Sequence, residues 1–203
     1  ILEMVIRLSS NQEDVVLTEG SLVEKFGVSK APVREALVKL CSEGVLKSVP
    51  RYGYVIVRLN EKDARDITQF RLILEISALK QAFPHIHSED LEPLRHHLKE
   101  TGKTRTTDVW EVWEDNQEFH CLLAGLAGNR FLVKSLQESM AIQKRVYAQL
   151  HWQNRHSMEY ILNPAPHEEI FDAVEKKDLE KALSFLRSDI LQGKTSAASA
   201  GGF

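Results

Sequence analysis

Residues 28–40 read VSKAPVREALVKL, and this stretch decides how the N-terminal part of the chain folds. Val33, Ala36, Leu37 and Leu40 stand at i, i+3, i+4 and i+7, so one stripe of a helix faces a core. The other side opens basic, with Lys30 and Arg34 following Ser29. Serine is a favoured N-cap, and Pro32 is tolerated in a first helical turn.

Working outward, Thr18 caps a short helix carrying Leu22, Val23 and Phe26, and Gly27 stops it by taking a left-handed conformation cheaply. Only Val28 separates that glycine from Ser29, so two short helices meet at a tight turn. Upstream, ILEMVIRLSS has helical spacing and NQEDVV reads as a polar connection. Downstream, Gly44 ends the quoted helix, and VLKSVP-RYG-YVIVRL forms two β-rich runs around a glycine-containing turn, a hairpin. Three helices and a hairpin make residues 1–58 a winged helix-turn-helix.

In that fold the second helix of the motif enters the major groove of DNA, and its N-terminal residues reach base edges. The basic opening of the quoted helix follows from this. Ser29 and the free N–H groups of the first turn suit a phosphate, Lys30 a phosphate or a guanine edge, and Arg34 a bidentate contact to guanine. Arg51 and Tyr52 at the hairpin tip suit the backbone or minor groove, and Gly53 lets the wing turn. A merely solvated face accounts for Lys30 and Arg34 taken alone. It does not account for the tight turn, the capped basic helix and the wing together.

Charge distribution agrees. The net charge is -3, yet Lys25 to Arg58 holds seven basic residues against two acidic ones, while 59–203 holds 18 basic against 22 acidic. A basic segment on an acidic chain suggests an anionic partner met at one end, which fits the DNA contact of the winged fold. Hydrophobic content of 43% with 27% charge is that of a globular protein, and no apolar run is long enough to cross a bilayer. Two cysteines, Cys41 and Cys121, without a metal-type pair and without a secretory leader, suggest a reducing cytoplasm. The first residue is Ile, so a natural start upstream is expected to be missing.

From Asn60 the β signal vanishes. NEKDARDITQFRLILEISALKQAF starts with an N-cap and a carboxylate three positions later, and stops before Pro84. Further helices are expected at about 88–101, 107–127, 130–155, 165–176 and 178–192, which makes 62–193 all-helical and leaves 194–203 as a disordered tail. The fold class expected is therefore mainly α. Within NQEFHCLLAGLAGN (116–129), Asn116 and His120 are four apart and point the same way on a helix, a weak hint of a shared ion. Phe119, Leu122 and Leu123 read as core. His96 and His97 are adjacent, diverge on a helix and read as surface.

The stretch LTEGSLVEKFGVSKAPVREALVKLCSEGVLKSVPRYGYVIV (17–57) closely resembles the DNA-binding domain of GntR-family bacterial transcription regulators, with their VSRxPVREALxxLxxEGL pattern and wing glycine. The resemblance places Ser29, Lys30, Arg34 and Gly53 on DNA-contacting positions. It also shows a departure, since Gly20 stands where members often carry Arg or Glu. The segments RLILEISAL, NxxFHxxLAxxxGN and HEEIFDAVEKKDLEKALSFL, from about Lys62 to Leu191, resemble the FadR-type effector domain called FCD. Many such domains hold a divalent metal through Asp, His, His and His, and the metal helps to hold a small carboxylate effector; others work without it.

Carried over singly, His120 and His167 match the family ligands. Asn116 sits where the first ligand is usually Asp, and Asp189 where the last is usually His. The resulting set of amide oxygen, two imidazoles and a carboxylate suits Zn, Ni, Mn or Fe. Buried histidines held by hydrogen bonds and an exposed aspartate are the alternative. Arg71 falls where the family pocket has an effector-clamping arginine, with an ion pair to Glu75 one turn on as its structural alternative.

These readings together imply a cytoplasmic homodimeric regulator, by family habit a repressor, tuned by a small-molecule effector. Two rivals stay open at this point: a 2-His-1-carboxylate enzyme with an accessory winged domain, and a module whose winged domain binds protein.

Overall fold

The structure is a computed structural model and describes residues 1–9, 15–103, 108–151 and 165–198. The chain divides into two compact units, the first being Ile1–Glu61 together with the segment that begins at Arg145, the second beginning at Lys62.

In the first unit, helix α1 (Leu2–Ser9) precedes strand β1 (Val16–Leu17), α2 (Glu19–Phe26), α3 (Lys30–Ser42), β2 (Leu46–Val49) and β3 (Gly53–Ile56). Thr18 caps α2 through a reciprocal box with Ser21, and Gly27 closes it at φ 63°. Thus the tight turn expected between α2 and α3 is present. The stripe of α3 is as predicted at Val33, Leu37 and Leu40, which are buried with Leu22, Val45 and Ile56 in one core. Ser29 does hold the N-cap position, but its side chain makes no capping hydrogen bond.

The hairpin forms with Leu46 opposite Ile56 and Val49 opposite Gly53. The sheet has a third strand, which overlaps the end of the expected polar connection: β1 pairs antiparallel with β3, Val16 opposite Val55. Two residues are too short for a period-2 pattern to register. From Arg145 the chain returns to this unit in a π-helical turn, Tyr147–His151, packed against α1. Arg145 Nη2 donates to Gly44 O at 2.9 Å, and Gln149 is bonded to both Leu59 N and Val57 O.

The second unit contains α4 (Glu61–Ala82, its first residue in the other unit), α5 (Glu92–Lys103), α6 (Val109–Gly125), α7 (Arg130–Val146, its last two residues in the other unit), α8 (Ala165–Glu175) and α9 (Leu179–Ala198). Its main core gathers Leu79, Leu94, Phe119, Ile170, Val174 and Leu186, each almost wholly buried. Helix α9 runs through Gly193 to Ala198, beyond the end expected at 192. A single glycine costs a helix only about 1 kcal/mol, and Lys194–Ala198 are compatible with continuation. Residues 199–203 of the expected tail, and 152–155 of the expected long helix, lie outside the described residues.

No helix among the described residues is long and apolar enough to cross a membrane. Cys41 and Cys121 are free thiols, both half-buried.

Candidate functional site

On the first unit, Lys30, Arg34, Arg51 and Tyr52 are all exposed, and Lys30 and Arg34 lie in the opening turns of α3. Arg34 is not loose. Its Nε and Nη2 donate to the two oxygens of Glu19, at 2.9 and 2.8 Å. That hydrogen bond pulls the Glu19 carboxyl below its ordinary range and pushes the Arg34 guanidinium up. Glu19 opens α2, where a carboxylate also complements the helix dipole. No periodicity in the sequence joins the two residues.

Arg51 takes φ 64°, a left-handed conformation uncommon outside glycine, which turns the wing between β2 and β3. Gly53 is fixed by its neighbours rather than by the turn alone. A Cβ there would stand 2.6 Å from Leu17 O on β1, at φ 131°.

In the second unit the sequence-predicted ligands converge. His120 on α6, His167 on α8 and Asp189 on α9 each offer a donor atom, and all three atoms lie within 4.8 Å of one another. His120 is 1% exposed, its ring at right angles to that of His167 with centroids 5.2 Å apart. Phe119 stacks on His167 at 4.0 Å and fixes that ring. Asn116 is half-buried one turn before His120 on the same helix.

The outer support was only partly legible. His120 Nδ1 lies 2.5 Å from Glu75 Oε2, and a carboxylate only accepts, so Nδ1 carries the proton. Glu75 is in turn held by Arg71 Nε at 2.8 Å, and Arg71 Nη1 donates to Gln143 on α7. Arg71 and Glu75 are 3% and 2% exposed. Of the two readings of Arg71, its i,i+4 pair with Glu75 is the contact present. Their i,i+4 spacing was the available signal. His97, read as surface, is buried and within 3.1 Å of Asp115 O, while His96 is exposed. Adjacent residues on a helix diverge, so one of the two faces the neighbouring α6.

These contacts set the electrostatics. Burial lowers the pKa of His120, but the charge of Glu75 and hydrogen bonding outweigh it and raise it to about 9. Burial lowers that of His167 to about 3, with the charge of His120 acting the same way. Asp189 resists burial through His120 and falls to about 2.

Whether a metal suits these residues is decided at His120 Nε2. That atom is buried and stands 3.0 Å from Asp189 Oδ2, and a donor of His167 lies within 4.8 Å of both. Donors about 2.0–2.2 Å from one ion stand about 3–3.5 Å apart, so this pair is already spaced as two ligands. With Nδ1 bound to Glu75, the carboxylate–histidine arrangement that orients metal-bound imidazoles is in place. An open groove of about 410 Å³ lined by Glu114, Glu118, Cys121 and Val133 includes none of the three donors.

The FCD domain model matches residues 66–191, and the model for bacterial regulatory proteins of the gntR family matches residues 1–56. The chain belongs to the GntR family, with an FCD domain. Its relatives agree. It is 35% identical to the HTH-type transcriptional regulator YdhC of Bacillus subtilis, covering 82% of this chain and 74% of that protein. It is 30% identical to the Nta operon transcriptional regulator of Aminobacter aminovorans, covering 68% and 66%. Among solved structures, E. coli McbR/YncC superposes with a TM-score of 0.74 at 18% identity, covering 99% of this chain and 96% of that one, a likeness of fold. A GntR regulator of Pseudomonas syringae reaches 0.55 at 25% identity, covering 98% and 82%. This GntR-family chain is therefore a DNA-binding transcription regulator, a winged helix-turn-helix followed by an effector-binding helical domain.

Proposed function

We propose that this regulator is a cytoplasmic homodimeric repressor whose hold on operator DNA is changed by a small carboxylate effector, bound in 62–193 beside a divalent metal. The observation that carries the proposal is the meeting of three donors at His120 Nε2: a buried imidazole nitrogen, its ring oriented by Glu75, with a carboxylate oxygen of Asp189 3.0 Å away and a His167 nitrogen within 4.8 Å.

His120, His167 and Asp189 would hold the ion, with Asn116 as a fourth donor, and Zn, Ni, Mn or Fe fits this mixed set. A bound divalent cation supplies a positive charge and an open position for an effector carboxylate. Glu75 keeps the proton on Nδ1 so that Nε2 stays a donor, and Arg71 and Gln143 hold Glu75. Since Arg71 is already committed to Glu75, its second role as effector clamp rests on Nη2, which lies near Glu75 without an aligned bond.

On residues 1–58, Ser29 is assigned to a phosphate, Lys30 to a phosphate or a guanine edge, Arg34 to a guanine, and Arg51, Tyr52 and Gly53 to the wing's contacts. The unused Ser29 hydroxyl and the exposed wing tip support these roles. Large exposed apolar side chains on the second unit, Phe70 and Ile73 on one face of α4 and Phe131 on α7, support dimerisation there. Effector binding would shift the population of dimers whose two heads match half-sites about one helical turn apart, with a coupling of about 1–3 kcal/mol. The enzymatic alternative has no support in the relatives named above, which are regulators.

Elemental analysis of untagged protein purified without chelator tests the metal reading. About one metal per chain, lost in both His120→Ala and Asp189→Ala, is expected. Absence of metal in the wild type after incubation with Zn, Ni or Mn would refute it.

A further inference from the structure

The two-pronged bond between Glu19 and Arg34 needs an explanation that stability does not give. Both side chains reach solvent, 63% for Arg34 and 26% for Glu19, and ion pairs at such sites contribute little. A carboxylate on a surface that approaches a polyanion also costs affinity for every sequence alike. Its place in the first turn of α2 accounts for a carboxylate at Glu19 but not for the two-pronged grip on Arg34.

What it does is visible in the atoms used. A guanidinium has five N–H groups, and Glu19 takes Nε and one hydrogen of Nη2. The opposite edge, formed by Nη1 and the second hydrogen of Nη2, is left as a fork, the shape that matches O6 and N7 of a guanine. A long side chain on an exposed helix face otherwise loses its rotamer freedom on binding, and it can equally swing to a phosphate. Held from one edge by a residue on α2, it meets the duplex with that freedom already spent and with its other edge forward.

We propose that Glu19 is a specificity-determining positioning residue: it restrains Arg34 so that the free edge of the guanidinium reads a base instead of a phosphate. This rests on the base-reading role of Arg34 proposed above, and the experiment separates the two.

Wild-type protein is used to select a duplex from a random-sequence library, and Kd is measured on that duplex and on its scrambled counterpart over a range of salt. The variants are Arg34→Ala, Glu19→Ala and Glu19→Gln, with thermal melting as a check on folding. Arg34→Ala is expected to lower the ratio of the two affinities about 5- to 150-fold. Glu19→Ala and Glu19→Gln are expected to lower it about 2- to 10-fold while binding scrambled DNA more tightly. Their log–log salt slope on scrambled DNA should steepen by about one unit, because the released Arg34 gains a phosphate. A purely structural Glu19 would move the melting temperature and neither of these readouts. Wild-type ratio and slope in both folded Glu19 variants, or a raised ratio, would overturn the proposal. A wild-type ratio in Arg34→Ala would instead overturn the base-reading role itself.

Discussion

Glu75 Oε2 lies 2.5 Å from His120 Nδ1 although the two residues are 45 positions apart, and both are almost wholly buried. The carboxylate decides which imidazole nitrogen can act as a donor. Glu75→Gln keeps the shape and removes the charge, so zinc affinity should fall about 10- to 100-fold in competition with a chromophoric chelator. It also strands the buried Arg71, at a cost of about 3–5 kcal/mol in thermal or urea unfolding. Unchanged zinc affinity would exclude the orienting role.

Metal-free protein should be most stable near pH 6.5. His167 titrates at about 3 in the fold against 6.5 unfolded, so its contribution is present above 6.5 and is lost as pH falls toward 3. His120 has the opposite sign: raised to about 9, it stabilises fully below 6.5 and the benefit is lost as pH rises through 9. Asp189, lowered to about 2, adds a further loss below pH 3.8. Melting temperatures measured from pH 4 to 10 should pass through a maximum. A monotonic rise across this range would contradict the environment described for His120.

Gly53→Ala should weaken the wing. The added Cβ would meet Leu17 O at 2.6 Å, a backbone atom of the paired strand, in a conformation that L side chains rarely adopt. The expected cost is about 1–3 kcal/mol, with loss of DNA binding at temperatures where the helices stay folded. Circular dichroism together with a DNA-binding titration separates the two effects.

Arg145→Met should destabilise the first unit by about 1.5–3 kcal/mol. The buried guanidinium donates to Gly44 O just beyond the end of α3, and burial already lowers its pKa. For a chain of this size the melting temperature would fall by about 2–4 °C per kcal/mol. A wild-type melting curve would show that this donor is dispensable.

Much of this was written locally. The stripe Val33, Leu37, Leu40, the cap at Thr18 and the stop at Gly27 are relations among residues a few positions apart, and the backbone of one helix enforces them. His120 and His167 were found through motif resemblance, and their meeting with Asp189 is the result of α6, α8 and α9 sharing a core. The pair Arg71–Glu75 was readable as an i,i+4 spacing. Its burial was not, because the sequence does not say which face of α4 is covered.

By itself, then, the sequence determined the winged helix-turn-helix, the helical second unit and the types of donor available, since periodicity and capping act over a turn or two of chain. Tertiary structure decided the pairings. Glu19 with Arg34, Glu75 with His120, Arg71 with Gln143 and the burial of His97 join residues that share no helix. β1 became a strand only because β3 lay beside it. Such partners are chosen by how the elements pack, and packing depends on the whole set of apolar faces at once rather than on any one stretch of the chain.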